Sequence, residues 1–226
     1  MSLFRVCTAS AACDIYRLPA GSPPLLSPNR YWMAQNATTM WEYWGNSATT
    51  FNSGLNSYNH IMYGGTGAWY YTTLVGLRRA AGSRSWSDVV FAPPAQPVVK
   101  GGVLATLSWA NASIDTPMGT VSAAWRVHPS SSRQTTTRQP IRTKSVYSLQ
   151  ILLPPNARAT VLLPILVVAS AATATVTESG RTIWRAGKYL PGARGITGGV
   201  LGEDGTVNFS VLSGSYRFAA NAEAAI

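Results

Sequence analysis

"WANASIDTPMGTVSAAWRV", residues 109–127, alternates apolar with small or polar residues on both sides of Asp115–Gly119. Period-two alternation sends one set of side chains to one face of a strand. A Pro and a Gly in the interruption supply turn chemistry, so the stretch reads as a β-hairpin, with its first strand entering from "GGVLATLS" (101–108). Further short strand-like runs follow a polar loop, "HPSSSRQTTTRQP" (128–140). They are "VYSLQILL" (146–153), "ATVLLPILVV" (159–168), "ATVTESG" (174–180), "RTIWRAG" (181–187), "TVNFSVLSG" (206–214) and "SYRFAA" (215–220). Short strands separated by Pro, Gly and Asn predict an antiparallel β-sandwich over residues 84–226.

Upstream the texture differs. In 57–81, Ile61, Met62, Trp69, Tyr70, Leu74 and Leu77 recur at helical spacing, with Asn56 or Ser57 as N-cap and Gly82 as stop. A second, short helix is read from Thr39 to Gly45. Gly64, Gly65 and Gly67 each cost such a helix roughly 1 kcal/mol against alanine, so the backbone there is read as closely approached. Residues 30–83 form the helical part, and the prolines of "FAPPAQPVV" (91–99) lie just past its boundary. Residues 1–29, rich in Ala, Ser and Pro, read as a leader or linker.

Composition excludes several classes. Charged residues make up 12% of the chain, and the net charge is +10. That charge invites a nucleic-acid reading, but the basic residues are scattered; Arg78, Arg79 and Arg84 come nearest to a patch, and no nucleic-acid motif is present. Residues 159–176 are apolar enough to raise a membrane reading. Pro164 interrupts them, and Thr160, Ser170, Thr173 and Thr175 dilute them, so buried strands are expected. Cys7 and Cys13 have no metal-ligand spacing, no cofactor is implied, and the N-terminus lacks the long apolar core of a secretory signal. Localisation is open: Asn36, Asn111 and Asn208 head formal glycosylation triplets that arise often by chance. Eight Trp and ten Tyr in 226 residues suit flat-faced ligands such as sugars. Hence a second reading, in which the sandwich is a non-catalytic carbohydrate-binding module presenting Trp109, Trp125 or Trp184.

Four stretches in order carry a resemblance: "YWMAQNATTMWEYW" (31–44), "GLNSYNHIMYGGTGAWYY" (54–71), the hairpin 109–127, and the set "LPPNARATVLLP" (153–164), "VTESGRTIW" (176–184) and "VLSGSYRF" (211–218). From about Arg30 to Phe218 the chain resembles the carboxyl-terminal end of α-L-rhamnosidases of glycoside hydrolase family 78. The resemblance implies an α + β multidomain fragment: the last helices of an (α/α) six-hairpin toroid, then an antiparallel β-sandwich. It implies an inverting glycosidase acting on rhamnose-containing glycans or glycosides. It makes Glu42, in the "TT-x-WE" motif, the general base, and His60 a substrate contact, with Trp41 and Trp44 as aromatic walls. Glu42 also completes a capping box with Thr39, a role that competes for the same carboxylate oxygens. His60, read into the first turn of the long helix, would be kept neutral by the helix dipole and would serve sugar hydroxyls. The family's general acid has no match here. Asp14, Asp88 and Asp115 stand in the leader, at the domain join and in the hairpin turn. The missing N-terminal part of the enzyme is therefore the expected partner, and the chain alone is expected to be inactive.

Overall fold

The computed structural model describes residues 3–8, 36–41, 57–61, 65–95, 107–128, 132–133, 141–142, 146–165 and 173–222. They fall into two compact units, Met1–Cys13 with Tyr71–Ile226, and Asp14–Tyr70. The regular structure among the larger unit's described residues is almost wholly β. Its strands are β1 (Leu3–Thr8), β2 (Leu77–Arg79), β3 (Asp88–Phe91), β4 (Leu107–Thr116), β5 (Gly119–His128), β6 (Ser132–Arg133), β7 (Ile141–Arg142), β8 (Val146–Pro164), β9 (Ala174–Glu178), β10 (Arg181–Arg185), β11 (Lys188–Tyr189), β12 (Ile196–Leu201) and β13 (Thr206–Ala222). Eleven of them form one sheet, and β6 with β7 forms a separate ribbon.

The hairpin that opened the sequence reading is present as β4–β5, in register from Trp109↔Arg126 to Thr116↔Gly119. Its turn is closed by the Thr116 hydroxyl, which donates to the Gly119 carbonyl at 2.6 Å and accepts from the Met118 N–H at 3.1 Å. Gly119, at φ 121°, takes a conformation that side chains resist.

β8 and β13 organise everything else. They pair antiparallel along nearly their whole length, and each changes its outer neighbour midway. The first half of β8 pairs with β5, and its second half pairs in parallel with β3. The first half of β13 pairs with β12, and its second half with β9. The register slips between Leu212 and Gly214, opposite Pro154–Ala157. There Gly214 has φ 145° and Asn156 φ 61°. Sequence reading divided each of these strands in two at Pro154–Asn156 and at Gly214. The structure keeps each continuous and bends it, as bulges in paired strands do.

The bend folds the sheet over on itself. Phe209 and Phe218 would lie roughly 30 Å apart on a straight strand, yet their ring centroids are 5.7 Å apart. Trp184 of β10 meets Phe209 edge-on at 6.5 Å. At the other end Trp125 stacks on Tyr147 at 6.0 Å. The two halves thus face each other over a shared apolar core, in the two-layer manner of a sandwich. Val121, Ala123, Trp125, Leu149, Ile151, Val161, Leu163, Val176, Val207 and Phe218 alternate into it along their strands.

The helical expectation needs correction. Among the described residues the toroid helices are not seen. A four-residue α-helix, α1 (Thr66–Trp69), runs on into a π-helical stretch, Tyr70–Val75. Residues 57–60 are not helical, and Leu77, read onto the long helix, begins β2 instead. The periodicity was real, but its apolar residues serve the sheet: Leu74, Val75 and Leu77 are buried in the β unit. Gly76, at φ 77°, turns the chain out of the helix, its carbonyl accepting from Ala92 N–H at 2.7 Å. Of the proposed Thr39–Gly45 helix, Thr39 to Trp41 are non-helical, and 42–45 lie outside the described residues. Asn56 and Met62 also lie outside them. Inside the stretch read as a leader, Leu3–Thr8 pairs with β4.

Candidate functional site

The two motif segments come together within the smaller unit. The Thr39 hydroxyl donates to the Tyr58 carbonyl, nineteen residues away. The His60 backbone N–H donates to the Met40 carbonyl at 2.7 Å. Trp41 and Tyr58 meet edge to face with centroids 4.8 Å apart. "TTMW" and "SYNH" are therefore stitched side by side through two hydrogen bonds and an aromatic pair. His60 and Trp41 are half-buried at this junction. Glu42 and Trp44 lie outside the described residues. The Ser57 hydroxyl accepts from Asn59 N–H at 3.1 Å, a local turn in place of a helix cap. His60 itself is non-helical, so the structure does not place it in the first turn of a long helix.

The tryptophans of the binding-module reading separate clearly. Trp125 and Trp184 are each only 2% exposed and belong to the core. Trp125 Nε1 donates to the Leu74 carbonyl at 2.8 Å, whereas Trp184 Nε1 is buried without a partner. Trp109 is half-buried on the other face of β4, with the Arg126 guanidinium 5.5 Å from its ring centre.

A polar cluster that sequence reading missed lies at the bend of β8 and β13. Arg158 Nε donates to Asp88 Oδ1 at 2.5 Å, and the Ser87 hydroxyl donates to Asp88 Oδ2 at 2.8 Å. The Ser85 hydroxyl donates to that of Ser87 at 2.8 Å, extending the chain. The Ser87 hydrogen bond first, then that of Arg158, holds the Asp88 carboxyl below its ordinary value. Asp88 was set aside as a general acid, and its ion pair with Arg158 agrees with that. Ser87, Asp88 and Arg158 line an open cleft of about 340 Å³ with Asn156, Ala157, Leu212 and Ser213. The sequence signal was "PPN" at the centre of what proved to be one strand.

No protein-family model matches the chain. The curated and structural neighbours nevertheless share one class: they are glycosidases. All of them point to α-L-rhamnosidase, and this chain covers only part of each. An α-L-rhamnosidase of Formosa agariphila is 30% identical over 138 residues, which are 59% of this chain and 12% of that protein. The solved α-L-rhamnosidase of Dictyoglumus thermophilum superposes with a TM-score of 0.60 at 26% identity, over 88% of this chain and 18% of its own. That of Streptomyces avermitilis, solved with L-rhamnose, gives 0.50 at 26% identity, over 84% and 14%. The chain thus spans less than a fifth of the length of these relatives and is similar to a glycosidase-related portion of them.

Proposed function

We propose that this chain is the carboxyl-terminal portion of an inverting α-L-rhamnosidase-like glycosidase, carrying the general-base position but not the general acid. The carrying observation is the stitching of "TTMW" to "SYNH" by Thr39–Tyr58, Met40–His60 and Trp41–Tyr58. It supports a shared site because Glu42 follows Trp41 directly in the chain. Similarity to two rhamnosidase structures over more than four-fifths of this chain supports the same reading.

In this proposal Glu42 acts as a carboxylate that takes a proton from water on one face of the sugar. A carboxylic acid on the other face, about 6.5–9.5 Å away in inverting enzymes, protonates the leaving oxygen. That acid would come from the part of the rhamnosidase that this chain does not span. His60 would exchange hydrogen bonds with sugar hydroxyls, and Trp41 and Trp44 would exclude bulk water and cover the sugar's apolar face. The substrate would be a rhamnose-containing glycan or glycoside. Residues 30–70 would be the end of the toroid, and the sandwich that follows would take in 71–83 as well as 84–226.

The test is hydrolysis of an aryl α-L-rhamnoside by a chimera joining the upstream part of a rhamnosidase relative to this chain at Arg30. Turnover that depends on Glu42 supports the reading, and Glu42-independent turnover refutes it. The binding-module reading is weakened by the burial of Trp125 and Trp184, which leaves Trp109 alone among its three candidates.

A further inference from the structure

We propose that the cleft at the bend of β8 and β13 binds a single neutral sugar ring, through Asp88, Asn156, Arg158 and Ser213 against Leu212. This site contains neither Glu42 nor His60 and does not rest on the catalytic reading.

Size comes first. At about 340 Å³ the cleft lies at the lower end of small-ligand sites and has room for one ring.

Charge narrows the class. Asp88 and Arg158 face the cleft as a pair, so an anion meets the carboxylate and a cation meets the guanidinium. A neutral polyol meets no like charge, and its hydroxyls both donate and accept. The supply matches that double character. Asp88 takes one hydrogen bond on each oxygen and keeps lone pairs to spare. Arg158 uses Nε alone, and its side chain is 75% exposed, so both Nη groups remain to donate. The Asn156 carboxamide and the Ser213 hydroxyl make no hydrogen bond among the described residues, and both line the cleft. Vicinal sugar hydroxyls suit a carboxylate, a guanidinium fork and a carboxamide held close together.

An apolar wall completes the fit. Leu212 is 49% exposed on β13 and lines the same cleft. The C–H face or methyl group of a sugar can cover it and remove apolar surface from water. The scaffold is firm, because the cluster sits on three hydrogen-bonded strands, β3, β8 and β13, and the Arg158 backbone N–H also donates to the Ser87 carbonyl at 2.8 Å.

The experiment is an NMR titration of the labelled 226-residue chain with L-rhamnose and D-glucose, and with acetate as an anionic control. Saturable shifts are expected at the Asn156 carboxamide, the Arg158 Nε–H and the Leu212 methyls with at least one sugar, and none with acetate. Asn156→Gly suits the φ of 61° while removing the carboxamide. It should weaken that binding about fivefold or more, as loss of one hydrogen bond does. Ser213→Ala provides the same readout if Asn156→Gly does not fold. Unsaturable drift with both sugars, shifts with acetate, or unchanged affinity in both variants would overturn the proposal.

Discussion

Two tryptophans with the same burial differ in one hydrogen bond, and that difference should be measurable. Trp125 Nε1 reaches the Leu74 carbonyl, and Trp184 Nε1 reaches nothing. Replacing either by Phe removes similar ring volume, but only Trp125→Phe orphans a carbonyl. Trp125→Phe should therefore cost about 1–3 kcal/mol more than Trp184→Phe in urea unfolding. Equal losses would show that the Leu74 contact contributes nothing. Gly76 is the second residue-scale test. At φ 77° it is strained for any side chain, and an added Cβ would collide with the Ala92 carbonyl. Gly76→Ala should lower stability by about 2–4 kcal/mol, read as a lower midpoint at unchanged slope. Asp88 sets a pH dependence. Its folded pKa lies below the unfolded value of 3.8, so its stabilisation is present above about pH 4 and is lost as pH falls through the folded value. Thermal scans at falling pH should show Asp88→Asn losing less of its stability in acid than the parent. Parallel curves would remove Asp88 from the account. None of these pairings was legible in the sequence, because residues 51 or 70 positions apart meet only once the sheet has folded.

At the scale of elements, the hairpin and the strand-rich second half were legible and the helix was not. Alternation in 109–127 is local and is fixed by burial of one face, so period two survives into the fold. The apolar spacing of 61–77 is equally local but has two solutions. Three glycines weaken the helical one, and Gly76 turns the chain so that Leu77 begins a strand. Pro154-Pro155-Asn156 and Gly214 were read as strand breaks because Pro and Gly usually punctuate. Here they permit a bend while pairing continues on both sides. The practical consequence concerns where the β unit begins. A fragment starting at Arg84 lacks Leu74, Val75 and Leu77, at 4%, 0% and 1% exposure. Each such side chain contributes roughly 1.5–3 kcal/mol when buried, against a net stability of about 5–15 kcal/mol for a domain. Residues 71–226 should therefore unfold at a clearly higher temperature than residues 84–226. Matching transitions would mean that the boundary belongs at the sequence position first read for it.

At the scale of the whole molecule, the proposed function divides the acid and base roles between this chain and an upstream part that it does not span. The resemblance was legible because its motifs are short, ordered and rich in Trp, Glu and His, whose chemistry constrains their neighbours. The catalytic geometry was not, since an acid/base pair is a property of two segments brought together from distant parts of a chain. The 226-residue chain alone should show no hydrolysis of an aryl α-L-rhamnoside above background, because acid–base assistance typically contributes 10²–10⁴-fold per group. Robust turnover by it, lost in Glu42→Gln, would mean that a general acid is present in this chain after all. The most direct measurement is kcat of the chimera with and without Glu42→Gln. The exchange keeps the size of the side chain but removes its ability to take a proton from water. The account predicts a fall in kcat of two or more decades, with KM little changed. A kcat within a factor of about three of the parent, well inside the least effect of losing a general base, would contradict it.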